Sequence, residues 1–253
     1  MKTPLIPIVI PSIYEVGGVK VALPPKMAQC SPDMKLALQN TAVDLKSAGG
    51  RLLLSDLFRS YDMQLGSHLD FVSGKKKAFS PPPGGSLHEA GRACDLDLMA
   101  MKIPLADFWV IAAKNGLNPI IDQPTKGKSE SWHFECRGSH ALVQSYYKDG
   151  KGTNFEKPYQ AMAASAIVSV GVKVDKFVDG QDGAYVQSAL IRLGQTIGNM
   201  DGQVGPKTRD ALSALGISSA SITDMIAGVD LALEAKFPTE FFDRTSKSPG
   251  LTH

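Results

Sequence analysis

At 253 residues, 43% hydrophobic and 21% charged, the chain is long enough for one large core or two smaller ones and has the composition of a globular protein. A net charge of +2 argues against a nucleic-acid binder, and no aromatic-plus-basic repeat speaks for one. Residues 1–157 carry 19 Lys and Arg against 15 Asp and Glu, and residues 158–253 carry 8 against 10, so a mildly basic front part would suit an anionic polymer.

The N-terminal run MKTPLIPIVIPSI is broken by Pro4, Pro7 and Pro11 and has no small-x-small cleavage site. It reads as the extended start of the fold rather than a signal peptide. No stretch approaches the roughly 18 apolar residues of a membrane span. The expectation is a protein made in the cytoplasm, without a membrane association. Cys30, Cys94 and Cys136 are odd in number and share no C-x-x-C spacing, which reads as buried thiols rather than a disulfide framework.

Ser31-Pro32-Asp33 starts a helix, with Ser31 as the capping hydroxyl and Met34, Leu38, Ala42 and Leu45 on one face. Gly49-Gly50 ends it. Residues 51–57 (RLLLSDL) form a buried strand that leads into Phe58-Arg59-Ser60-Tyr61. Residues 72–85 (VSGKKKAFSPPPGG) form a long loop, and such loops are usually functional or disordered. Its Lys75-Lys76-Lys77 run is either a solvated tip or a substrate-facing rim.

His88-Glu89-Ala90-Gly91-Arg92 opens like the helical H-E-x-x-H zinc motif, but Arg92 stands in place of the second His. Pro81-Pro82-Pro83-Gly84-Gly85 and Gly91 also argue against a helix there. GRACDLDL is instead a half-buried strand, with Cys94, Leu96 and Leu98 inward and Ala93, Asp95 and Asp97 pointing away from the core. His88 and Asp95 then offer a nitrogen and an oxygen to a metal. A catalytic zinc needs a third ligand, and His133 in SESWHFE is the best candidate, with Trp132 and Phe134 as apolar neighbours that exclude water. Glu130 falls on the turn before that strand, where it would lean over a metal as a general base rather than bind it. Asp97 reads as a solvated or supporting carboxylate.

A helix over about 105–115 carries Phe108, Trp109 and Ala112. Composition turns linker-like around 149–158, and the small-residue run Ala161–Val172 follows. The remainder is helical in pattern. Val186, Leu190 and Leu193 end at Gly194, Pro206 starts a second helix that ends at Gly216, and Ser221 with Asp224 resembles a capping box for a third.

Ser86-x-His88-x-x-Gly91-x-Ala93-x-Asp95, then Glu130-x-Trp132-His133, with Phe58-Arg59-Ser60-Tyr61-Asp62-Met63-Gln64 upstream, resembles the VanY-like D-alanyl-D-alanine carboxypeptidase family. These zinc peptidases share a fold with the hedgehog signalling domain. The resemblance covers about residues 50–137. It implies zinc on His88, Asp95 and His133, Glu130 as catalytic base, and Arg59 holding a substrate carboxylate or the oxyanion. Ser86 and Trp132 join Arg59 on the substrate side. Asp201-Gly202-Gln203-Val204-Gly205-Pro206-Lys207-Thr208 resembles the D-G-x-x-G-x-x-T signature of the three-helix peptidoglycan-binding domain, although Ala214-Leu215-Gly216 replaces its closing aromatic-Gln pair.

The expected architecture is α+β. An antiparallel sheet with flanking helices forms a catalytic domain (1–157), 158–172 is a linker, and 173–253 is a helical peptidoglycan-binding-like domain. The expected function is monomeric zinc-dependent hydrolysis of the peptidoglycan stem peptide at the cell wall, either as an L-Ala-D-Glu endopeptidase of endolysin type or as a D-Ala-D-Ala carboxypeptidase or secreted effector. Rivals are a non-catalytic wall-binding protein and a hydrolase using Cys94 or Cys136 as nucleophile.

Overall fold

The computed structural model describes residues 5–127, 130–153 and 159–240. The first residues of the N-terminal run, the end of the loop at 128–129, residues 154–158 of the linker-like stretch and the tail from 241, with His253, lie outside them. Among the described residues the chain is mixed α/β, consistent with α+β, with eight α-helices, a six-stranded sheet and a two-stranded antiparallel sheet.

Short strands β1 (Ile6–Pro7) and β4 (Gln29–Cys30) pair with each other, and β2 (Pro11–Val16) and β3 (Val19–Ala22) form a hairpin. Helix α1 (Pro32–Ser47) follows, then β5 (Leu54–Asp56), α2 (Tyr61–Val72), a 3-10 turn (Leu87–Ala90) and β6 (Ala93–Leu96). After α3 (Leu105–Lys114), β7 (Leu117–Pro119) and β8 (His133–Cys136) complete the sheet, whose order is β3-β2-β5-β6-β8-β7. The expected all-antiparallel sheet is in fact mixed, because β2 and β5 run parallel. Their connection passes through α1, the crossover that a parallel pair requires.

Helix α1 buries Met34, Leu38 and Leu45 as its periodicity predicts, along with Ala37 and Thr41, while Ala42 is only partly covered. Its face meets α3 and the sheet, where Phe108 and Phe134 pack edge-to-face at 5.1 Å. Ser31 does not cap the helix with its hydroxyl. The hydroxyl donates to Asp33 Oδ1 (2.6 Å), and that oxygen accepts the Met34 amide (3.0 Å).

This local rearrangement serves Arg92, which is fully buried. Its guanidinium donates to Ser31 Oγ (3.1 Å), the Cys136 and Arg137 carbonyls (3.1 and 3.2 Å) and the Asp33 carboxylate. Arg92 therefore clamps the N-terminus of α1 to the end of β8.

Helices α4 (Ala141–Lys148), α5 (Tyr159–Val170), α6 (Gln181–Leu193), α7 (Pro206–Ala214) and α8 (Ile222–Lys236) form the second half. Tyr159–Val170 falls within the expected linker, yet it is a helix with ten buried residues. Its Ala and Ser side chains are small enough to let it pack closely against α4, α6 and the 3-10 turn. The hydrophobic cluster of this half takes in Leu87, Ala90 and Ala93 from the front part. Strand β6 is consequently buried on both faces and is not the half-exposed strand its alternation predicts.

The DGQVGPKT segment wraps around the buried side chain of Gln187 on α6. Gln187 accepts from the Asp201 and Gly202 amides and donates to Asp201 Oδ1 and the Gln203 carbonyl. Gly202, at φ +80°, lies against α6, where a Cβ on Gly183 would sit 1.9 Å from the Gly202 oxygen. For α8, the expected Ser221 cap is not made. Ser219 donates to Asp224 Oδ2 (2.9 Å) and accepts the Ser221 amide (3.0 Å) instead.

Asp33→Asn is expected to destabilise the chain by about 3–5 kcal/mol, because it strands a buried guanidinium. Burial alone would raise the Asp33 carboxyl, but Arg92 outweighs it and holds the group at about 2. The folded value lies below the unfolded one, near 3.9. The contribution, roughly 2 kcal/mol, is therefore fully present above about pH 4 and disappears as pH falls toward 2. Denaturant titrations of both proteins at neutral and acidic pH check this. Gly183→Ala should cost about 1–3 kcal/mol by overpacking against Gly202, read in the same titration.

Candidate metal centre

His88 stands in the middle of the 3-10 turn. Ser86 starts that turn by accepting the His88 amide (3.3 Å), and Gly91 ends it in the left-handed region at φ +64°. A Cβ at Gly91 would also meet Leu5 at 2.6 Å and Cys30 Cα at 3.1 Å, so glycine alone fits both the backbone and the space. The imidazole donates from Nδ1 to the Leu57 carbonyl (2.6 Å). That bond fixes the tautomer and turns the Nε2 lone pair inward. Nε2 is buried and makes no hydrogen bond, although Asp95 Oδ1 lies 3.3 Å away.

Asp95 and His133 are directly opposed on the antiparallel pair β6–β8. His133 Nδ1 lies 2.9 Å from Asp95 Oδ1, and its Nε2 is 3.8 Å from Glu135 Oε1. Glu135 is two residues further along the strand, hence on the same face. Burial would lower the pKa of His133, but hydrogen bonding to Asp95 and the nearby Glu135 carboxylate raise it to about 10. Asp95 stays ionised despite its burial because His88 and His133 hold it well below the usual carboxylate range.

Donor atoms of His88, Asp95 and His133 all lie within 4.8 Å of one another, so this buried group could hold a metal ion. A tetrahedral ion with ligands at about 2.0–2.1 Å spaces them by about 3.3 Å. The observed separations of 3.3 and 2.9 Å, the unpartnered Nε2 and the N/O/N chemistry fit such an ion.

Glu130 occupies the turn before β8 in a left-handed conformation (φ +64°), with its carbonyl accepting the His133 amide (3.0 Å). It leaves the strand's alternation in this way and lines the same cleft as the three donors. Partial burial raises its pKa, against the pull of His133. A carboxylate so destabilised is a better base.

Arg59 is pinned from three sides. Nε donates to Asp56 Oδ2 (2.5 Å), Nη1 to Gln64 Oε1 (3.3 Å) and Nη2 to Asp95 Oδ2 (3.2 Å). Ser60 caps α2 by accepting the Met63 amide (3.3 Å), which sets Gln64 one turn in. Sequence reasoning missed Asp56 and Glu135 as supports. Asp56 is opposite Asp95 on β5, and the alternation of HFEC places Glu135 beside His133.

The donors open into a cleft of about 390 Å³ with Trp132, Ser86, Lys76, Phe79 and Tyr159 in its walls. Ser86 lines it, but its hydroxyl is engaged with the turn. Phe134 does not line the cleft as expected. It faces the α1/α3 core, one residue out of phase with His133. Asp97 stands apart from the triad and accepts the Met99 amide (2.9 Å). Glu89 is buried away from the cleft, where burial pushes it up to about 8 and its Oε2 accepts the Gly84 amide (2.8 Å). It anchors the PPPGG loop. All three cysteines are free and buried, and burial pushes Cys30 and Cys136 up to about 12 and Cys94 well above its usual value. None lines the cleft, so a thiolate nucleophile has no support.

No protein-family model matches the chain, and no curated protein is significantly similar to it.

His88→Ala and Asp95→Asn are each expected to abolish stoichiometric binding of an added divalent metal ion, whereas Asp97→Asn retains it. Glu135→Gln should weaken that binding by about 10- to 100-fold, the usual effect of removing a group that orients a ligating His. Competition titration against a chromogenic chelator separates the four outcomes.

Proposed function

We propose that the chain is a zinc-dependent peptidase that hydrolyses the stem peptide of bacterial peptidoglycan, with a hedgehog-like catalytic part and a helical wall-binding part, working as a monomer at the cell wall. The observation that carries this reading is the convergence of His88 Nε2, Asp95 Oδ1 and His133 Nδ1 at one end of a cleft that also holds Glu130 and Arg59.

His88, Asp95 and His133 would hold the ion, which when bound polarises water and the scissile carbonyl. Glu130 takes the proton of the attacking water and passes it to the leaving amine. Arg59, held against Asp56 and Asp95, supplies fixed positive charge beside the developing oxyanion. Trp132 and the apolar cleft wall keep competing water out.

The DGQVGPKT segment supports a wall-anchoring role for the helical part, next to a shallow depression of about 330 Å³ lined by Arg209, Ser213 and Ser218. A wall anchor joined to a stem-peptide hydrolase favours L-Ala-D-Glu endopeptidase action of endolysin type over D-Ala-D-Ala carboxypeptidase action.

Glu130→Ala should reduce fragment release from purified peptidoglycan by about 10²–10⁴-fold while zinc stoichiometry is kept. A chelator should abolish release by the unsubstituted chain. Mass spectrometry of the products expects a new N-terminal D-Glu, and free D-Ala would transfer the assignment to a carboxypeptidase. Undiminished hydrolysis by the Glu130→Ala chain, or in chelator, sinks the mechanism.

A further inference from the structure

Of the three consecutive lysines in the 72–85 loop, two behave as a solvated tip. Lys75 is exposed and pairs with Asp70 at 3.5 Å, and Lys77 is exposed. Lys76 turns inward, is half-buried and lines the cleft.

Its position is built rather than accidental. The Lys76 amide donates to the Asp70 carbonyl (2.9 Å), which fixes the backbone of the loop on α2. The ammonium donates to Ser67 Oγ (2.8 Å), a neutral acceptor, and among the described residues it pairs with no carboxylate. Ser67 also accepts from Ser80 Oγ (2.9 Å), Ser80 accepts from Gln64 Nε2 (3.2 Å), and Gln64 accepts from Arg59. A relay of four hydrogen bonds thus joins the two non-histidine cations of the cleft and sets their relative placement.

The two cations differ in how far their charge is already matched. Arg59 has used three of its five N–H donors, two of them on the carboxylates of Asp56 and Asp95. Lys76 has used one of three donors, on a hydroxyl, so each cation keeps two donors but only Arg59 is held against carboxylates. Burial and then the nearby Arg59 charge lower its pKa, against the weaker pull of the Asp95, Asp56 and Glu130 carboxylates. An incoming anion gains most at such a group, since the desolvation cost is already met in the free chain.

We propose that Lys76 is the carboxylate-binding, specificity-determining residue of the cleft. The chain then favours stem peptides with a free carboxylate beside the scissile bond over their amidated forms. The substrate class rests on the peptidase reading above, while the choice of Lys76 over Arg59 rests on their partners, two carboxylates for Arg59 and a hydroxyl for Lys76. Ser67 is a positioning residue, acting through Lys76.

Calorimetric titration tests this with the full chain carrying Glu130→Ala, so that binding is read without turnover. The probes are two synthetic peptides with L-Ala joined to γ-linked D-Glu, one with the α-carboxylate free and one with it amidated. The free form is expected to bind about 10- to 100-fold tighter, the range of a charge-assisted hydrogen bond. Lys76→Met should erase that preference, and Lys76→Arg should keep most of it. Equal binding of the two peptides, no binding of either, or a preference that survives Lys76→Met overturns the assignment. Digestion of peptidoglycan by the unsubstituted chain separates the two readings. Release of fragments with no carboxylate preference removes Lys76 alone. A Lys76-dependent preference without any fragment release supports the Lys76 assignment and removes the peptidase.

Discussion

The carboxylate of Asp95 is shared, and that sharing organises the site. Oδ1 faces both imidazoles, at 3.3 Å from His88 and 2.9 Å from His133, while Oδ2 takes Arg59 at 3.2 Å. A buried carboxylate is tolerable only when charge and hydrogen bonds surround it on all sides. The register of β5–β6–β8 meets that demand by setting His133 opposite Asp95 on one neighbour and, on the other, Asp56, which holds the Arg59 guanidinium that covers Oδ2. Slipping either strand by one residue would turn the partners to the other face and leave the charge uncovered.

The triad is legible in the sequence through the combined spacing of His88, Asp95 and the Trp132-His133 pair and the resemblance it carries, and Gly91 and the prolines argue against a helix at His88. The supporting groups are harder to read. The tautomer of His88 is set by the carbonyl of Leu57, and a backbone acceptor leaves no trace in residue type. Gln64 was visible as part of a motif, but its reach to Ser80 and to the Pro81 carbonyl depends on how the long loop folds back. Arg92, which looked like a missing ligand, acts at a distance from the metal site by clamping Asp33 and the end of β8.

Two departures from the sequence pattern share one physical origin, contacts between segments far apart in sequence, and a third is local. Alternation in β6 reports one covered face, and only α5 and the 3-10 turn supply the second. The Ala- and Ser-rich run at 159–170 has little amphipathic contrast because it is covered nearly all round, and without contrast it resembles a tether. Ser221 lost its cap to Ser219 because hydroxyls two residues apart compete for the same helix start.

Helix α5 places Tyr159 and Met162 in the cleft wall, with Phe79 stacked on Tyr159 at 6.0 Å, and its other sides are packed on α4 and α6. Gly84 of the loop before His88 abuts Val174, and the Tyr61 hydroxyl reaches Asp175 at 3.3 Å. The two halves therefore do not behave as exchangeable cassettes. Substituting a different helical module after residue 157 would remove part of the cleft and unpack the turn that carries His88. Selection on either half must accommodate the other, and evolution of the helical half is constrained by the geometry of the cleft.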